Sequence, residues 1–122
     1  MGHILVVEDN LAVSCLINEV LTLSGYSVQL ASNCTAALQL IQANPPCLVL
    51  LDLKLPSVYG IKVLNIIKHA VPDIPVIAMS AYAELLDIQA ELETGRISYI
   101  LIKPFNLHEL INAVARYIPL KV

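Results

Sequence analysis

At 122 residues the chain has the length of one ordinary domain, enough to bury an apolar core without disulfides or a structural metal. Hydrophobic residues make up 57% of it and charged residues only 14%, which excludes a disordered chain, and no apolar run reaches the length of about 18 residues that crosses a bilayer. The net charge of -3 offers no basic patch, so we expect one domain, residues 1–122, with no direct contact to nucleic acid or membrane.

The N-terminal run MGHILVV is too short for a signal peptide and leads directly into a strand pattern, so we expect a cytoplasmic protein. Cys15, Cys34 and Cys47 are far apart, with neither a CxxC pair nor a neighbouring histidine that would indicate a metal site. We interpret the three cysteines as small buried hydrophobic residues.

Apolar runs and helical periodicities alternate along the whole chain. The predicted strands are, in order, 3–7, 26–31, 47–52, 75–79 and 98–102. The predicted helices are 11–24, one that begins at Asn33 or Thr35 and ends before 44–46, one that follows Gly60 and ends at Pro72, then 83–94, and one that begins at Asn106. Helical spacing points several side chains of the first and last helices toward the core, namely Val13, Leu16, Ile17, Val20, Leu21, Leu107, Leu110, Ile111 and Val114.

Five strands alternating with five helices predict an α/β fold, a doubly wound five-stranded parallel sheet of the flavodoxin-like (βα)5 type with strand order 2-1-3-4-5. The third strand is uniformly apolar, which is typical of a central strand, and it stops on a single carboxylate, Asp52. Parallel strands have their carboxyl ends at one edge. Residues that follow strands should therefore converge there: Glu8, Asp9, Asp52, Ser80 and Lys103.

Three carboxylates in one shallow site repel one another unless a cation is present. Oxygen ligands select a hard ion, and Mg²⁺ is the natural candidate. Lys103 beside these acids could neutralise part of their charge or bind an anion, and the Ser80 hydroxyl could donate to the same anion. With Asp52 as nucleophile, this set of groups suits the formation of an aspartyl phosphate.

Each residue alone also has a structural interpretation. Asp52 could begin a turn, and Glu8 and Asp9 could be acids favoured at a helix N-terminus. Ser80 could cap the next helix, and Lys103 could be a solvated loop residue. The functional interpretation depends on all of these residues being at strand ends in the right order.

The pattern resembles the receiver domain of two-component response regulators, the family of the bacterial chemotaxis regulator. The resemblance covers nearly the whole chain and lies in four motifs: VVEDN at 6–10, LLDLKLPSVYG at 50–60, MSAYA at 79–83 and IKPF at 102–105.

The resemblance implies that Asp52 is the phosphoacceptor and that Glu8 and Asp9 serve Mg²⁺, for which Mn²⁺ could substitute. It implies that the backbone carbonyl of Lys54 completes the metal site together with Asp52. Ser80 would be the switch hydroxyl, and Lys103, which in the family precedes a cis-proline, would contact the phosphoryl group. The chain would catalyse its own phosphorylation and dephosphorylation, without a dedicated substrate.

Similarity also implies the partners: a histidine kinase or phosphotransfer protein as phosphodonor, and a downstream effector domain or protein. The surface that phosphorylation changes would be formed by the fourth helix, the fifth strand and the fifth helix. A homodimer through the same surface stays open, as does the choice between a stand-alone regulator and a part of a larger one.

Two positions depart from the family or are individual to this chain. The usual aromatic of the fifth strand lies three residues before the lysine, where this chain has Ile100, and Tyr99 is one residue earlier. Either a bulge returns Tyr99 to the switch position, or Ile100 fills that position and the aromatic coupling is absent. Lys54 could cover the phosphoryl group and slow its hydrolysis, or it could be solvated.

Two other functions compete with the phosphorylated module. One is a receiver-like domain that binds partners constitutively, which the irregular fifth strand favours and the five intact residues oppose. The other is a flavodoxin-like enzyme or nucleotide binder, which we disfavour because Glu8-Asp9-Asn10 stands where a glycine-rich phosphate loop would follow the first strand.

Overall fold

A computed structural model describes the backbone of residues 2–53, 57–81 and 85–119, and the side chains of the same residues apart from 57–60 and 85–87. Strands and helices alternate throughout, as the sequence predicts. Their bounds are β1 Ile4–Val7, α1 Leu11–Leu23, β2 Val28–Ala31, α2 Cys34–Ala43, β3 Leu48–Asp52, α3 Ser57–Ala70, β4 Val76–Ala81, α4 Leu85–Glu93, β5 Tyr99–Lys103 and α5 Leu107–Ala115.

The five strands form one parallel sheet in the order β2-β1-β3-β4-β5, which confirms the predicted architecture. Every residue of β1 and β3 is buried, and so are the first five residues of β4. Strands without polar alternation therefore occupy the middle of the sheet, where helices cover both faces.

The core divides into two layers because successive strand side chains point to opposite faces. Leu5 and Leu51 belong to the layer that packs against α2, α3 and α4, whereas Leu50 belongs to the layer under α1 and α5. Burial of one such side chain contributes about 1.5–3 kcal/mol. Together these layers hold the strands rigidly, so the residues at the strand ends have fixed relative positions.

Local signals fix the helix ends. Asn10, Asn33 and Asn106 are N-caps, each accepting a hydrogen bond from a backbone N–H three residues later. Gly25 and Gly95, after α1 and α4, have φ of 99° and 80°, a left-handed conformation that glycine adopts without strain.

The pairing of β4 with β5 is regular from Ile77–Tyr99 to Ala81–Lys103. Tyr99 packs against the core layer under α1 and α5, whereas Ile100 packs against the opposite layer. The alternative in which a bulge returns Tyr99 to the switch position is therefore wrong. An uninterrupted ladder keeps the two neighbouring side chains on opposite faces.

Several predicted boundaries differ from the observed ones by one to three residues, and the end of β4 and the start of α3 are two of them. Ser80 lies inside β4 rather than after it, because pairing with β5 continues through Ser80–Ile102 and Ala81–Lys103. Helix α3 begins at Ser57, so Gly60 lies within the helix instead of before it. Glycine inside a helix costs about 1 kcal/mol relative to alanine, which the packing of α3 on the sheet offsets.

Three side chains predicted to be buried are exposed. Leu16 is 51% exposed and Leu107 is 44% exposed, and Cys15 is also exposed. In α1 the buried side is defined by Ile17 and Leu21, and one residue along a helix rotates the side chain by about 100°. Cys34 and Cys47 are half-buried.

None of the helices in the described part of the chain has an apolar stretch long enough to cross a membrane.

Candidate functional site

Glu8 follows β1 directly and is buried, with 2% of its surface exposed. Its backbone N–H donates to the Ala31 carbonyl at 3.0 Å, which extends the β1–β2 pairing to this residue. One carboxylate oxygen, Oε2, accepts from the backbone N–H of Asn10 at 3.1 Å, and Oε1 accepts from Lys103 Nζ at 3.1 Å. The carboxylate is therefore held from both sides.

Asp52 is the last residue of β3 and is also 2% exposed. The ladder continues past it, because Leu53 N–H donates to the Met79 carbonyl at 3.0 Å. Asp52 thus lies at the carboxyl edge of the sheet, and strand pairing on both sides of it fixes its backbone relative to the neighbouring strands.

Lys103 ends β5 on the far side of β4, yet its Nζ reaches the acids of β1 and β3. It lies 3.1 Å from Glu8 Oε1 and 3.2 Å from Asp52 Oδ1. The Lys103–Pro104 peptide bond is cis, as the family resemblance implies. The ion pair between Lys103 and Glu8 joins residues that are 95 positions apart in sequence.

Asp9 completes the acidic group from an exposed position beside Glu8. One carboxylate oxygen from each of Glu8, Asp9 and Asp52 can be chosen so that all lie within 4.8 Å of one another. A cluster that offers only oxygen ligands, two from buried carboxylates and one from an exposed one, fits a hard divalent cation such as Mg²⁺.

The electrostatics of the site follow from burial and crowding. Burial raises the pKa of Glu8 to about 7, and a hydrogen bond and charge repulsion from Asp52 act in the same direction, while Asn10 and Lys103 only partly oppose them. Burial would lower the pKa of Lys103, but the charges of Asp52 and Glu8 outweigh it and hold that pKa above its ordinary value. Among the described residues, three clustered carboxylates thus lie beside one lysine, Lys103.

Ser80 lies on β4, between the strands that carry Asp52 and Lys103, and it is fully buried. Its hydroxyl donates to the carbonyl of Ala81 at 3.0 Å. Lys54, whose carbonyl the family resemblance assigns to the metal site, lies outside the described residues. The structure thus brings Glu8, Asp9, Asp52 and Lys103 into one site and places Ser80 on the adjoining strand.

Asn10 both caps α1 and positions Glu8, and the sequence did not predict the second role. Its side chain caps α1 by accepting from Val13 N–H, and its own N–H donates to Glu8. The cap was predictable from the residue type at the start of a helical pattern. The hydrogen bond to Glu8 was not, because it depends on how the carboxylate folds back over the turn.

These groups together can bind an oxygen-rich anion next to a carboxylate nucleophile. The acids offer ligands for a cation, and the lysine offers a positive charge to the anion's oxygens. Glu8 and Asp52 are both buried carboxylates that Lys103 contacts and that belong to the acidic cluster, and Asp52 is the one that ends the central strand β3, next to the strand that carries Ser80. Attack by a carboxylate oxygen on phosphorus is the chemistry that this arrangement favours.

The chain matches the family described as the response regulator receiver domain over residues 4–115. It is 41% identical over 118 residues to the sporulation initiation phosphotransferase F of Bacillus subtilis, covering 97% of this chain and 94% of that protein. It is 40% identical over 109 residues to the transcriptional regulatory protein KdpE of Staphylococcus aureus, covering 89% of this chain and 46% of that protein.

Solved structures give the same result at the level of the fold. The receiver domain of NtrX from Brucella abortus superposes with a TM-score of 0.85 at 28% identity, over 97% of this chain and 99% of that one. A CheY-like response regulator receiver domain protein from Methanospirillum hungatei superposes with a TM-score of 0.85 at 27% identity, over 95% of this chain and 92% of that one. The similarity thus extends over sequence and structure together.

Proposed function

Because the chain belongs to the family of response regulator receiver domains, we propose that Asp52 is its phosphoacceptor. The module takes a phosphoryl group from a histidine kinase or phosphotransfer protein and passes the signal to an effector domain or protein. Residues 1–122 act as one receiver domain in the cytoplasm, with no dedicated substrate beyond the phosphodonor.

One observation supports this assignment above the others. Asp52 ends the central strand β3, between β1, which leads into Glu8 and Asp9, and β4, which carries Ser80, and its Oδ1 lies 3.2 Å from Lys103 Nζ. It shares an acidic cluster with Glu8 and Asp9. A carboxylate that only begins a turn does not require these neighbours, whereas a carboxylate that accepts a phosphoryl group requires a cation beside it.

The transfer step is a substitution at phosphorus. An oxygen of Asp52 forms a bond to phosphorus as the bond from phosphorus to the donor breaks, which is P–N for a phosphohistidine and P–O for acetyl phosphate. The donor leaves with the bonding electron pair, and an acyl phosphate remains on Asp52. Lys103 holds a phosphoryl oxygen during transfer, when charge is spread over those oxygens.

Glu8, Asp9 and Asp52 would hold Mg²⁺, with the backbone carbonyl of Lys54 as a further ligand and Mn²⁺ as a substitute ion. When bound, the ion supplies positive charge that offsets the carboxylates and the phosphoryl oxygens. Glu8 is positioned for this by Asn10, whose N–H fixes one carboxylate oxygen at 3.1 Å. Burial first, and then the neighbouring Asp52, raise the pKa of Glu8, and a cation held between the two carboxylates would favour their charged forms.

The output depends on Ser80, α4, β5 and α5. The phosphoryl group attracts the Ser80 hydroxyl away from the Ala81 carbonyl, which moves the end of β4 and the residues that follow. Ile100, which packs on the side of α4, occupies the position usually filled by an aromatic residue. The signal therefore reaches the α4–β5–α5 surface through an aliphatic contact.

The test is intact-mass measurement after incubation with acetyl phosphate and Mg²⁺. We expect a mass gain of one phosphoryl group in the natural sequence and none in Asp52→Asn, which keeps the shape of the side chain but lacks the nucleophile. Absence of any gain in the natural sequence would contradict the proposal and favour a domain that binds its partners constitutively.

A further inference from the structure

An arginine outside the acidic site joins α4 to α3. Arg96 lies between α4 and β5, and its Nη1 donates to Glu91 Oε2, in the last turn of α4, at 2.9 Å. The two side chains of this ion pair are partly buried, with 36% and 18% of their surfaces exposed. The second terminal nitrogen of the guanidinium, Nη2, donates to Asn65 Oδ1 on α3. Arg96 therefore bridges two helices that pack on the same face of the sheet.

The α3 side of this bridge is fixed to the sheet. Lys68, three residues beyond Asn65 on α3, donates to the Ile74 carbonyl at 2.6 Å, in the segment that leads into β4. Leu64 and Ile67 of the same helix are buried in the core layer on that face. Asn65 thus belongs to a helix that packing and a hydrogen bond hold in place.

The far end of α4, which we define as residues 91–97, has attachments besides the guanidinium. The Ile97 N–H donates to the Glu91 carbonyl at 3.0 Å, and the Gly95 N–H donates to the Leu92 carbonyl at 3.1 Å. Ile97 is also 1% exposed and belongs to the core layer on this face of the sheet. Backbone hydrogen bonds, a buried side chain and the guanidinium bridge therefore act together at this end of the helix.

The near end of α4, residues 85–88, follows the strand that carries the switch hydroxyl. Ser80 and Ala81 end β4 at the carboxyl edge of the sheet, and residues 82–84 separate them from the helix. A helix that joins two parallel strands runs back across the sheet, so the far end of this nine-residue helix lies toward the amino edge, about 13 Å from its start. A movement at Ser80 therefore reaches the near end of α4 first.

We propose that Arg96 clamps the far end of α4 to α3, so that phosphorylation of Asp52 displaces the near end of α4 and leaves the far end in place. This inference rests on the proposed function, because the phosphoryl group has to move Ser80. The helix then turns about a fixed point instead of sliding as a whole over the sheet. Arg96 is a positioning residue, and its partners Glu91 and Asn65 lie outside the acidic site.

The clamp can be tested without phosphorylation, through the exchange of backbone amide protons at the far end. The amides of Thr94, Gly95 and Ile97 are hydrogen-bonded there, so their exchange measured by NMR reports local opening. Arg96→Met removes the guanidinium but keeps an apolar stem, and we expect these amides to exchange about fivefold faster. Asn65→Ala removes only the partner on α3, and we expect a smaller increase of about twofold.

Two glutamates of α4 provide a matched comparison. Glu91→Met removes the carboxylate that Arg96 contacts, whereas Glu93→Met makes the same change at an exposed residue whose hydrogen bond is to Gln89. Methionine and glutamate have similar helix propensities, so the intrinsic stability of the helix should change little. We expect faster exchange in Glu91→Met and the natural rates in Glu93→Met. Equal rates in these two variants, or natural rates in Asn65→Ala, would overturn the clamp.

A second experiment compares backbone chemical shifts before and after phosphorylation by acetyl phosphate with Mg²⁺. In the natural sequence we expect changes in residues 85–88 and almost none in 91–97, whereas in Arg96→Met both ends of α4 should change. Changes of equal size at both ends of the natural helix would overturn the proposal.

Intact mass, measured on the same samples, separates this proposal from the proposed function. A chain that gains no phosphoryl group contradicts the proposed function and, with it, the motion of α4. The exchange rates of the unphosphorylated variants decide independently whether Arg96 holds the far end of the helix.

Discussion

At the scale of single residues, the acidic site is a set of closely spaced, largely buried charges in which Lys103 contacts two carboxylates. Glu8 and Asp52 are each 2% exposed, and Lys103 contacts both. The sequence predicted the members of this group from their places after strands. It could not predict the two short ion-pair distances or the pKa of Glu8, because these depend on side-chain rotamers and on how much water reaches each oxygen.

Lys103→Gln removes the charge that would hold the phosphoryl oxygens while keeping a similar length. We expect phosphorylation by acetyl phosphate to slow by about 100-fold, the usual effect of removing one electrostatic contact to a transition state. The rate can be followed by intact mass over time. Lys62→Gln, an exposed lysine of α3, is the matched control and should keep the natural rate. Equal rates in both variants would exclude a role for Lys103 in transfer.

The pKa of Glu8 predicts how stability depends on pH in the metal-free protein. A carboxyl whose pKa rises from 4.5 in the unfolded chain to about 7 in the folded one binds its proton more tightly when folded. Its contribution is therefore fully present below pH 4.5 and is lost as the pH rises through about 7.

Relative to Glu8→Gln, which cannot titrate, the natural sequence should lose roughly 3 kcal/mol of unfolding free energy between pH 4.5 and 8. Urea denaturation in the presence of a chelator, repeated across this range, measures the difference. A difference that stays constant or grows with pH would show that Glu8 is not held protonated in the fold.

At the scale of elements, α1 shows both what periodicity predicts and where it fails. Its N-cap and its buried residues Ile17 and Leu21 follow from the sequence pattern. Leu16 was assigned to the same face, yet it is 51% exposed, and Leu11 and Leu23 are 74% and 81% exposed. When a helix has apolar residues on all of its sides, residue type alone does not show which side packs against the sheet.

The exposed leucines of α1 provide a test of partner docking. Leu11 begins the helix directly after the acidic segment, whereas Leu23 ends it about 18 Å away. If a kinase or phosphotransfer protein docks over the near end of α1 to reach Asp52, Leu11→Ala should slow phosphotransfer from that protein by about tenfold.

Leu23→Ala should leave that rate unchanged, and both variants should accept phosphate from acetyl phosphate normally. Stopped reactions analysed by phosphate-affinity gels give all four rates. A loss of acetyl phosphate activity in Leu11→Ala would instead indicate damage to the site itself.

The predicted end of β4 was wrong for a related reason. Ser80 and Ala81 are compatible with a strand or a loop, and only the pairing with Ile102 and Lys103 of β5 extends the strand over them. Strand ends depend on neighbours that are distant in sequence. The consequence for function is that Ser80 begins as a paired, fully buried strand residue, so its movement would have to disturb the sheet itself.

At the scale of the whole molecule, the sheet connects the acidic site to the α4–β5–α5 surface through β4 and β5. Tyr99 is held on the α5 side, where the Arg116 guanidinium lies 4.9 Å from its ring centre and Tyr117 donates to the Ser98 carbonyl at 3.0 Å. A ring held in this way is unsuited to turning inward toward α4. The register between β4 and β5 places Ile100, rather than Tyr99, on the side of the sheet that α4 covers.

We therefore expect the Tyr99 ring to keep one environment during phosphorylation. Fluorotyrosine labelling followed by fluorine NMR reports this, with the Tyr99 signal assigned through Tyr99→Phe. Its resonance should stay near its original position while Asp52 is phosphorylated. The appearance of a second, well-separated Tyr99 signal in proportion to the phosphorylated fraction would show that the aromatic side chain does switch.

The parallel order of the strands was predictable because uniform apolar runs, short connections and helical spacers allow few other arrangements. That order alone brings residues 8, 9, 52 and 103 to one edge.

The most direct measurement is chemical identification of the phosphorylated residue. Borohydride reduces an acyl phosphate of aspartate to homoserine, so treatment of the phosphorylated protein followed by peptide mass spectrometry locates the modified position. We predict homoserine at position 52, formed only when Mg²⁺ is present during phosphorylation. Homoserine at another aspartate, or none despite a gain in intact mass, would contradict the assignment of Asp52 and the site built around it.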